Sequence, residues 1–295
     1  MHPDLAFAVW SGERQRRIED VLDRALPLTD APPSRLTQAM RYAVLGGGKR
    51  VRALLAYAGG ELTGADAAVV DAPAAAVELI HAYSLAHDDL PCMDDDTLRR
   101  GKPACHVAFG VAAALLAGDA LQALAFHVLG AAAMPNAGAA CTTLADAAGA
   151  SGMAGGQAID LESVGMTLAS SELEAMHRRK TGALIRAAVN LGARCGRSLA
   201  PDETIALDAF ARAAGLAFQV VDDVLDVEGS AAALGKTTGK DIAANKPTYV
   251  TVLGLAEAKR HAAALREEAR LAVQPFGRAA RRLLELADWI ATRTH

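Results

Sequence analysis

Aromatic residues are scarce in this chain, at 4% of 295 positions, and no basic stripe with interleaved aromatics runs through it. With a net charge of only -4, nucleic acid is excluded as an expected partner. Cysteine is also rare. Cys92, Cys105, Cys141 and Cys195 are scattered, without the paired spacings of a zinc site or a secreted disulfide framework, so a reducing cytoplasm is the expected location. The amino terminus carries Asp4, Glu13 and several arginines but no apolar core before a cleavage site, so it does not read as a signal peptide. Apolar runs are broken by Gly, Asp, Gln or His before they reach membrane-spanning length, so a soluble protein without a membrane span is expected. Neither a convincing strand pattern nor a short internal repeat is visible.

What is present is alanine and helical periodicity. About half of the residues are apolar, and small side chains favour closely packed helices. Apolar spacing predicts helices over residues 4–26, 36–45, 65–90, 105–114, 117–133, 139–161, 172–191, 203–227, 248–255, 258–273 and 278–291, with one more opening at Lys49-Arg50-Val51-Arg52. Ser34 is the expected N-cap of the second helix. The fold class is therefore all-α. The length suits one large domain, or two closely joined ones, over residues 1–295.

Two acidic blocks interrupt this apolar pattern. His87 through Asp96 places five carboxylates in ten residues, at the end of an apolar helix where anions are poorly placed. Pro91 disfavours helical geometry at Leu90, so Asp94 should fold back toward Asp88. Far down the chain Asp222, Asp223 and Asp226 form the second block. Asp222 and Asp226 share a helix face, where like charges repel. Hard cations held between the blocks would resolve both conflicts, and magnesium takes carboxylate oxygens while sharing substrate phosphates. The bland alternative is a pair of solvated acidic faces.

Positive charge has its own cluster. Gly46-Gly47-Gly48 ends one helix, and Lys49 and Arg52 then lie on one face at the start of the next. A glycine turn with exposed amides and two cations suits a diphosphate; a glycine C-cap followed by surface basics is the alternative. No strand precedes it and Arg50 stands where a Walker loop needs Ser or Thr. His81, Ser84 and Asp88 line one helical stripe, so His81 is either a site residue or a core histidine. Gly182 inside a helix beside Lys180 and Thr181 suggests a kink that bares both. Gln157 and Asp160 read as a buried hydrogen-bonded pair. Gln219 lies three before Asp222. Residues 229–246, with Lys236, Lys240 and Lys246, read as a flap able to close over phosphates, or as a solvated loop.

Gly47-Gly48-Lys49-Arg50, His87 through Gly101, Gly118-Asp119-Ala120-Leu121, Lys180-Thr181-Gly182 and Gln219 through Lys246 together resemble the trans-isoprenyl diphosphate synthases, in order and over nearly the whole chain. The likeness is nearest to the bacterial type that makes farnesyl diphosphate. It implies an antiparallel helical bundle around a deep cavity, usually a homodimer. Asp88, Asp94 and Asp222 would bind three magnesium ions holding an allylic diphosphate, supported by Asp89 and Asp226. Arg99, Lys180, Thr181, Gln219, Lys236 and Lys246 would contact that substrate, with Lys180 and Gln219 counted in the catalytic set. Lys49, Arg52, His81 and Arg100 would hold isopentenyl diphosphate. The family's aromatic chain stop, five before the first aspartate, is matched by Tyr83, while a helical wheel puts Ser84 nearest the face of Asp88. Geranyl or geranylgeranyl diphosphate are the alternative products. One departure is Ala53, where the family usually has proline. Three other readings compete: a terpene cyclase, whose second motif is absent; a helical phosphohydrolase using His87-Asp88; and a non-catalytic subunit, which would be expected to lack an aspartate.

Overall fold

The computed structural model describes residues 3–228 and 246–293. Its helices are α1 (Pro3–Ala25), α2 (Ser34–Val44), α3 (Val51–Leu62), α4 (Ala67–Asp88), α5 (Cys105–Phe109), α6 (Val111–Gly130) and α7 (Ala137–Ala148). They continue with α8 (Met153–Glu162), α9 (Ser170–His177), α10 (Ala183–Ala193), α11 (Pro201–Glu228), α12 (Tyr249–Leu253), α13 (Leu255–Ala272) and α14 (Arg281–Thr292). The result is the expected all-α, largely antiparallel bundle. Its buried apolar residues join into one cluster running from Trp10 to Ile290.

Small side chains explain the tight centre. Helices α3 and α4 bury Ala53, Ala56, Ala58, Ala74, Ala75 and Ala76 completely. Methyl groups let backbones approach, and close packing rather than bulk fills the interior. Around this pair, α3 packs against α10, α4 against α6, and α11 against α13. Asp66 starts α4 by accepting the Ala68 N–H at 2.8 Å, a capping bond worth about 1 kcal/mol.

Several boundaries depart from the periodicity. Pro33, not Ser34, occupies the N-cap of α2, with no side-chain cap bond. The expected helix over 139–161 is two helices, because Ala148 is followed by a glycine-rich turn before Met153. Gly110, at φ 86°, separates α5 from α6. A two-residue antiparallel ribbon pairs Leu98–Arg99 with Lys102–Pro103; it is too short to show an alternating pattern. Its turn residues Arg100 and Gly101 both have positive φ, 54° and 73°, which is the geometry of a tight hairpin.

The expectation about membrane-spanning length also needs correction. Helices α4, α6 and α11 are each long and apolar enough to cross a membrane, because isolated polar residues lower a mean without cancelling it. In α4 and α11, 67% and 56% of the apolar window is buried inside the bundle, against 28% in α6. The first two helices are therefore the bundle's own core, while α6 presents apolar surface outward, including Val111, Leu115 and Leu116.

Candidate functional site

Two adjoining cavities of about 520 and 420 Å³ share Asp88, Arg99, Lys180, Gln219 and Asp222 in their walls. They form one cleft. Its acidic end is lined by Asp88, Asp94, Asp160, Asp222, Asp223 and Asp226, and its other end by Lys49, Arg52, His81 and Arg100. The stripe Glu78, His81, Ser84 and Asp88 on α4 runs from one end to the other.

Helix α4 stops at Asp88, and the Asp94 N–H donates to the Asp88 carbonyl at 2.8 Å, so the chain folds back as Pro91 requires. The acidic residues then find separate partners. Gln157 donates to Asp88 Oδ1 at 2.8 Å, Lys246 Nζ to Asp94 Oδ1 at 2.7 Å, and Arg293 to Asp222 Oδ1 at 2.8 Å. Lys180 Nζ sits 2.6 Å from Asp160 Oδ2, with Lys246 3.4 Å from the same oxygen. Burial, and after it Lys180 and Asp94, act on the Asp88 carboxyl, and its pKa is raised. Burial would raise Asp160 too, but Lys180 and Lys246 outweigh it and hold that carboxyl below its usual range.

The break at Gly182 is a single π-helical turn, Arg178–Gly182. Such turns are common at functional sites. It brings Lys180 and Thr181 to the cleft wall, but Thr181 is buried rather than bared and donates to Gln219 Oε1 at 2.7 Å, while Gln219 donates to Asp223 Oδ1 at 2.8 Å. Gly156 of α8 lies against this turn, where any side chain would collide with the Lys180 backbone. That contact brings Gln157 and Asp160 to the cleft. They are not bonded to each other, contrary to the sequence reading.

At the opposite end charges of one sign face one another. Arg52 is buried with its Nε lacking a hydrogen-bond partner, and burial, with Arg100 nearby, lowers its pKa to about 10 despite Glu78 and Asp222. His81 is held well below its usual range by burial and then by Arg52 and Arg100. Arg100 donates to the Gly47 carbonyl at 2.7 Å. Desolvated cations gathered in one cavity are what an anion site requires.

The remaining expected residues divide between the cleft and its surroundings. Asp89 is buried away from the cleft, bonded by Arg99, which also reaches Asp96 at 3.2 Å. Asp226 is buried at the acidic end. Ser84 lines the cleft, whereas Tyr83 packs edge-on against the His87 ring, 5.7 Å between centroids. His87 itself donates to the Leu115 carbonyl at 2.9 Å, which turns it from the cleft and removes the His-Asp pair a phosphohydrolase would need. Lys236 and Lys240 lie outside the described residues. Four residues went unread in the sequence as site components: Gln157, Asp160, Glu78 and Arg293. Gln157 and Asp160 carried a signal, the glycines Gly155 and Gly156 on their helix; Arg293 reaches Asp222 from the end of the described chain, with its guanidinium 4.0 Å from the Phe218 ring centroid.

No three His, Cys, Asp or Glu groups among the described residues stand close enough to hold a metal by themselves. The carboxylates on the two walls nevertheless suit magnesium, which is content with one or two protein oxygens, its own waters and substrate phosphate. Softer ions are disfavoured by an all-oxygen set.

A family model described as Polyprenyl synthetase matches residues 33–274. The farnesyl diphosphate synthase of Escherichia coli (strain K12) is 49% identical over 278 residues, covering 91% of each chain. Among solved structures, an FPP/GFPP synthase from Zymomonas mobilis is similar at TM-score 0.87 and 38% identity, covering 98% of this chain and 99% of that one. A geranyltransferase from Helicobacter pylori, complexed with magnesium and isoprenyl diphosphate, superposes at TM-score 0.85 with 31% identity over 96% and 95% of the two chains.

Proposed function

The chain belongs to the polyprenyl synthetase family, and from that premise we propose that it is a short-chain prenyltransferase condensing isopentenyl diphosphate with an allylic diphosphate, dimethylallyl or geranyl, to give farnesyl diphosphate. The observation that carries this is the polarity of the cleft. Carboxylates from the end of α4 and the turn after it share one end with those of α11, and Lys49, Arg52 and Arg100 gather at the other. Two diphosphates are thus accommodated differently, one through metal and one directly.

Asp88, Asp94 and Asp222 are the residues we assign to hold magnesium, three ions with substrate bound, with Asp226 beside them. Magnesium supplies the charge neutralisation that lets diphosphate leave carbon. Lys180 and Lys246 now balance Asp160 and Asp94; a metal diphosphate brings both signs of charge, so each lysine can turn to phosphate as its aspartate turns to metal. Lys236 is assigned the same substrate, on the family resemblance alone. Thr181 and Gln219, locked together, face the allylic carbon and fix its orientation. Lys49, Arg52, His81 and Arg100 grip isopentenyl diphosphate. Leu85, Met153 and Phe218 give the cleft its apolar wall, which keeps water from the allylic cation. The proton lost at the end passes to the departing diphosphate, so no side-chain base is needed.

We also read the chain as one catalytic domain, cytoplasmic in keeping with four free thiols, and as a homodimer whose partner covers the apolar face of α6. Mass identification of products from purified protein, magnesium, isopentenyl diphosphate and each allylic starter tests the reaction. A fifteen-carbon diphosphate is expected; no condensation with any starter contradicts the reading.

A further inference from the structure

Arg50 occupies the middle of the cationic turn at the cleft wall, yet its guanidinium is taken up by protein partners. Its side chain is 1% exposed. Nε donates to Glu19 Oε1 at 2.7 Å, Nη1 to Glu78 Oε2 at 3.3 Å, and Nη2 to the Val44 carbonyl at 2.7 Å. Its backbone is left-handed, φ 49° and ψ 38°, and Lys49 alone separates it from three glycines of positive φ, Gly46, Gly47 and Gly48. A residue with a Cβ does not hold that conformation unless its surroundings impose it. Here α1 imposes it twice, because Gln15, one turn before Glu19, donates to the Lys49 carbonyl at 3.0 Å.

Glu78 closes the arrangement from α4. It is 2% exposed, and besides Arg50 it accepts the Ala53 N–H at 3.1 Å. That N–H exists only because this chain has alanine where the family usually has proline. The first turn of α3 is therefore restrained by a carboxylate borrowed from another helix. Lys49 and Arg52, on either side of Arg50, both line the cleft.

We propose that Arg50 is a positioning residue of the isopentenyl diphosphate subsite: clamped to Glu19 and Glu78, it holds the left-handed turn that aims Lys49 and Arg52 at one diphosphate. The proposal rests on the prenyltransferase reading for the identity of that diphosphate, and on the coordinates alone for the clamp. A guanidinium is needed, since a lysine can meet the carboxylates but cannot also span to the Val44 carbonyl.

The test uses the full chain with Arg50→Gln, Arg50→Lys and Glu19→Gln. Inorganic diphosphate is titrated calorimetrically in EDTA, where the aspartate end has no metal to bridge it. The Michaelis constants of both substrates are then measured with magnesium. Arg50→Gln is expected to weaken inorganic diphosphate about tenfold and raise KM for isopentenyl diphosphate by a similar factor, with the allylic KM and kcat within about twofold. Arg50→Lys should recover part of the loss, and Glu19→Gln should raise the same KM about threefold. Equal rises in both KM values, or no recovery in Arg50→Lys, overturn the proposal. Should Arg50→Gln lose its far-ultraviolet circular dichroism, Glu19→Gln decides, and an unchanged KM for isopentenyl diphosphate then overturns it. Wild-type protein that binds diphosphate with this dependence but condenses nothing would sink the reaction and leave the clamp.

Discussion

The two ends of the cleft treat charge in opposite ways. At the acidic end Asp88, Asp94, Asp160 and Asp222 each have a hydrogen-bond donor or a cation within 2.8 Å. At the cationic end burial first lowers the pKa of both Arg52 and Arg100, with Arg100 acting further on Arg52, and Arg50 and Arg99 on Arg100, against Glu78, Asp222 and Glu19. One end is balanced by partners that can be exchanged, and the other is left positive. A balanced end suits a ligand that arrives as metal plus diphosphate, carrying both signs. An unbalanced end suits a bare anion.

The sharpest break in that comparison comes at the acidic end. Asp222→Ala removes a proposed metal oxygen while α11 stays intact, so kcat should fall about a thousandfold with unchanged far-ultraviolet circular dichroism. Near-normal turnover would mean that the second acidic block is only a solvated face.

Each end also buries a neutral histidine, and the acidic one tests whether burial or nearby charge governs it. His177 is pushed down to about 4, by burial first and Lys180 second. The unfolded chain protonates its histidine near pH 6.5 and the folded one only near 4, so stability is full above 6.5 and declines as pH falls toward 4. The loss attributable to His177 is about 3 kcal/mol over that window. His177→Phe should flatten the acid limb of a Tm against pH series; an unaltered limb would mean the ring is already protonated in the fold.

Lys49→Ala probes the cationic end. KM for isopentenyl diphosphate should rise about tenfold, the equivalent of about 1.4 kcal/mol, with little change for the allylic partner. Equal effects on both substrates would erase the distinction between the ends.

The smallest effect is on product length rather than rate. Ser84 lines the cleft and Tyr83 packs on His87, so Ser84→Phe should shorten products more readily than Tyr83→Ala lengthens them, as read by mass. A profile moved only by Tyr83→Ala would return the stop to the aromatic ring.

Much of this was legible without coordinates because the chemistry is local. The repulsion within Asp88 through Asp96, the proline that ends α4, the glycine turn before Lys49 and the glycine inside the Lys180 helix each break a local rule, and each adjoins residues that line the cleft. What the sequence hid is long-range. Arg293 meets Asp222 across 71 positions, and Glu78 meets Ala53 across 25; no periodicity foretells which helices will adjoin. Gln157 and Asp160 looked like partners because they sit one turn apart, whereas packing of Gly156 on Lys180 directs them to different neighbours. The Arg99–Asp89 pairing was hidden for a related reason, since a two-residue ribbon leaves no pattern.

The central claim is that the facing aspartates of α4 and α11 share metal on one diphosphate. Crystals grown with manganese in place of magnesium and a non-reactive allylic diphosphate analogue would show it by anomalous scattering. The account predicts peaks bridging that diphosphate to Asp88 and Asp94 on one side and Asp222 on the other, with Lys180 and Lys246 moved onto phosphate. Peaks elsewhere, with both lysines still bound to Asp160 and Asp94, would contradict it.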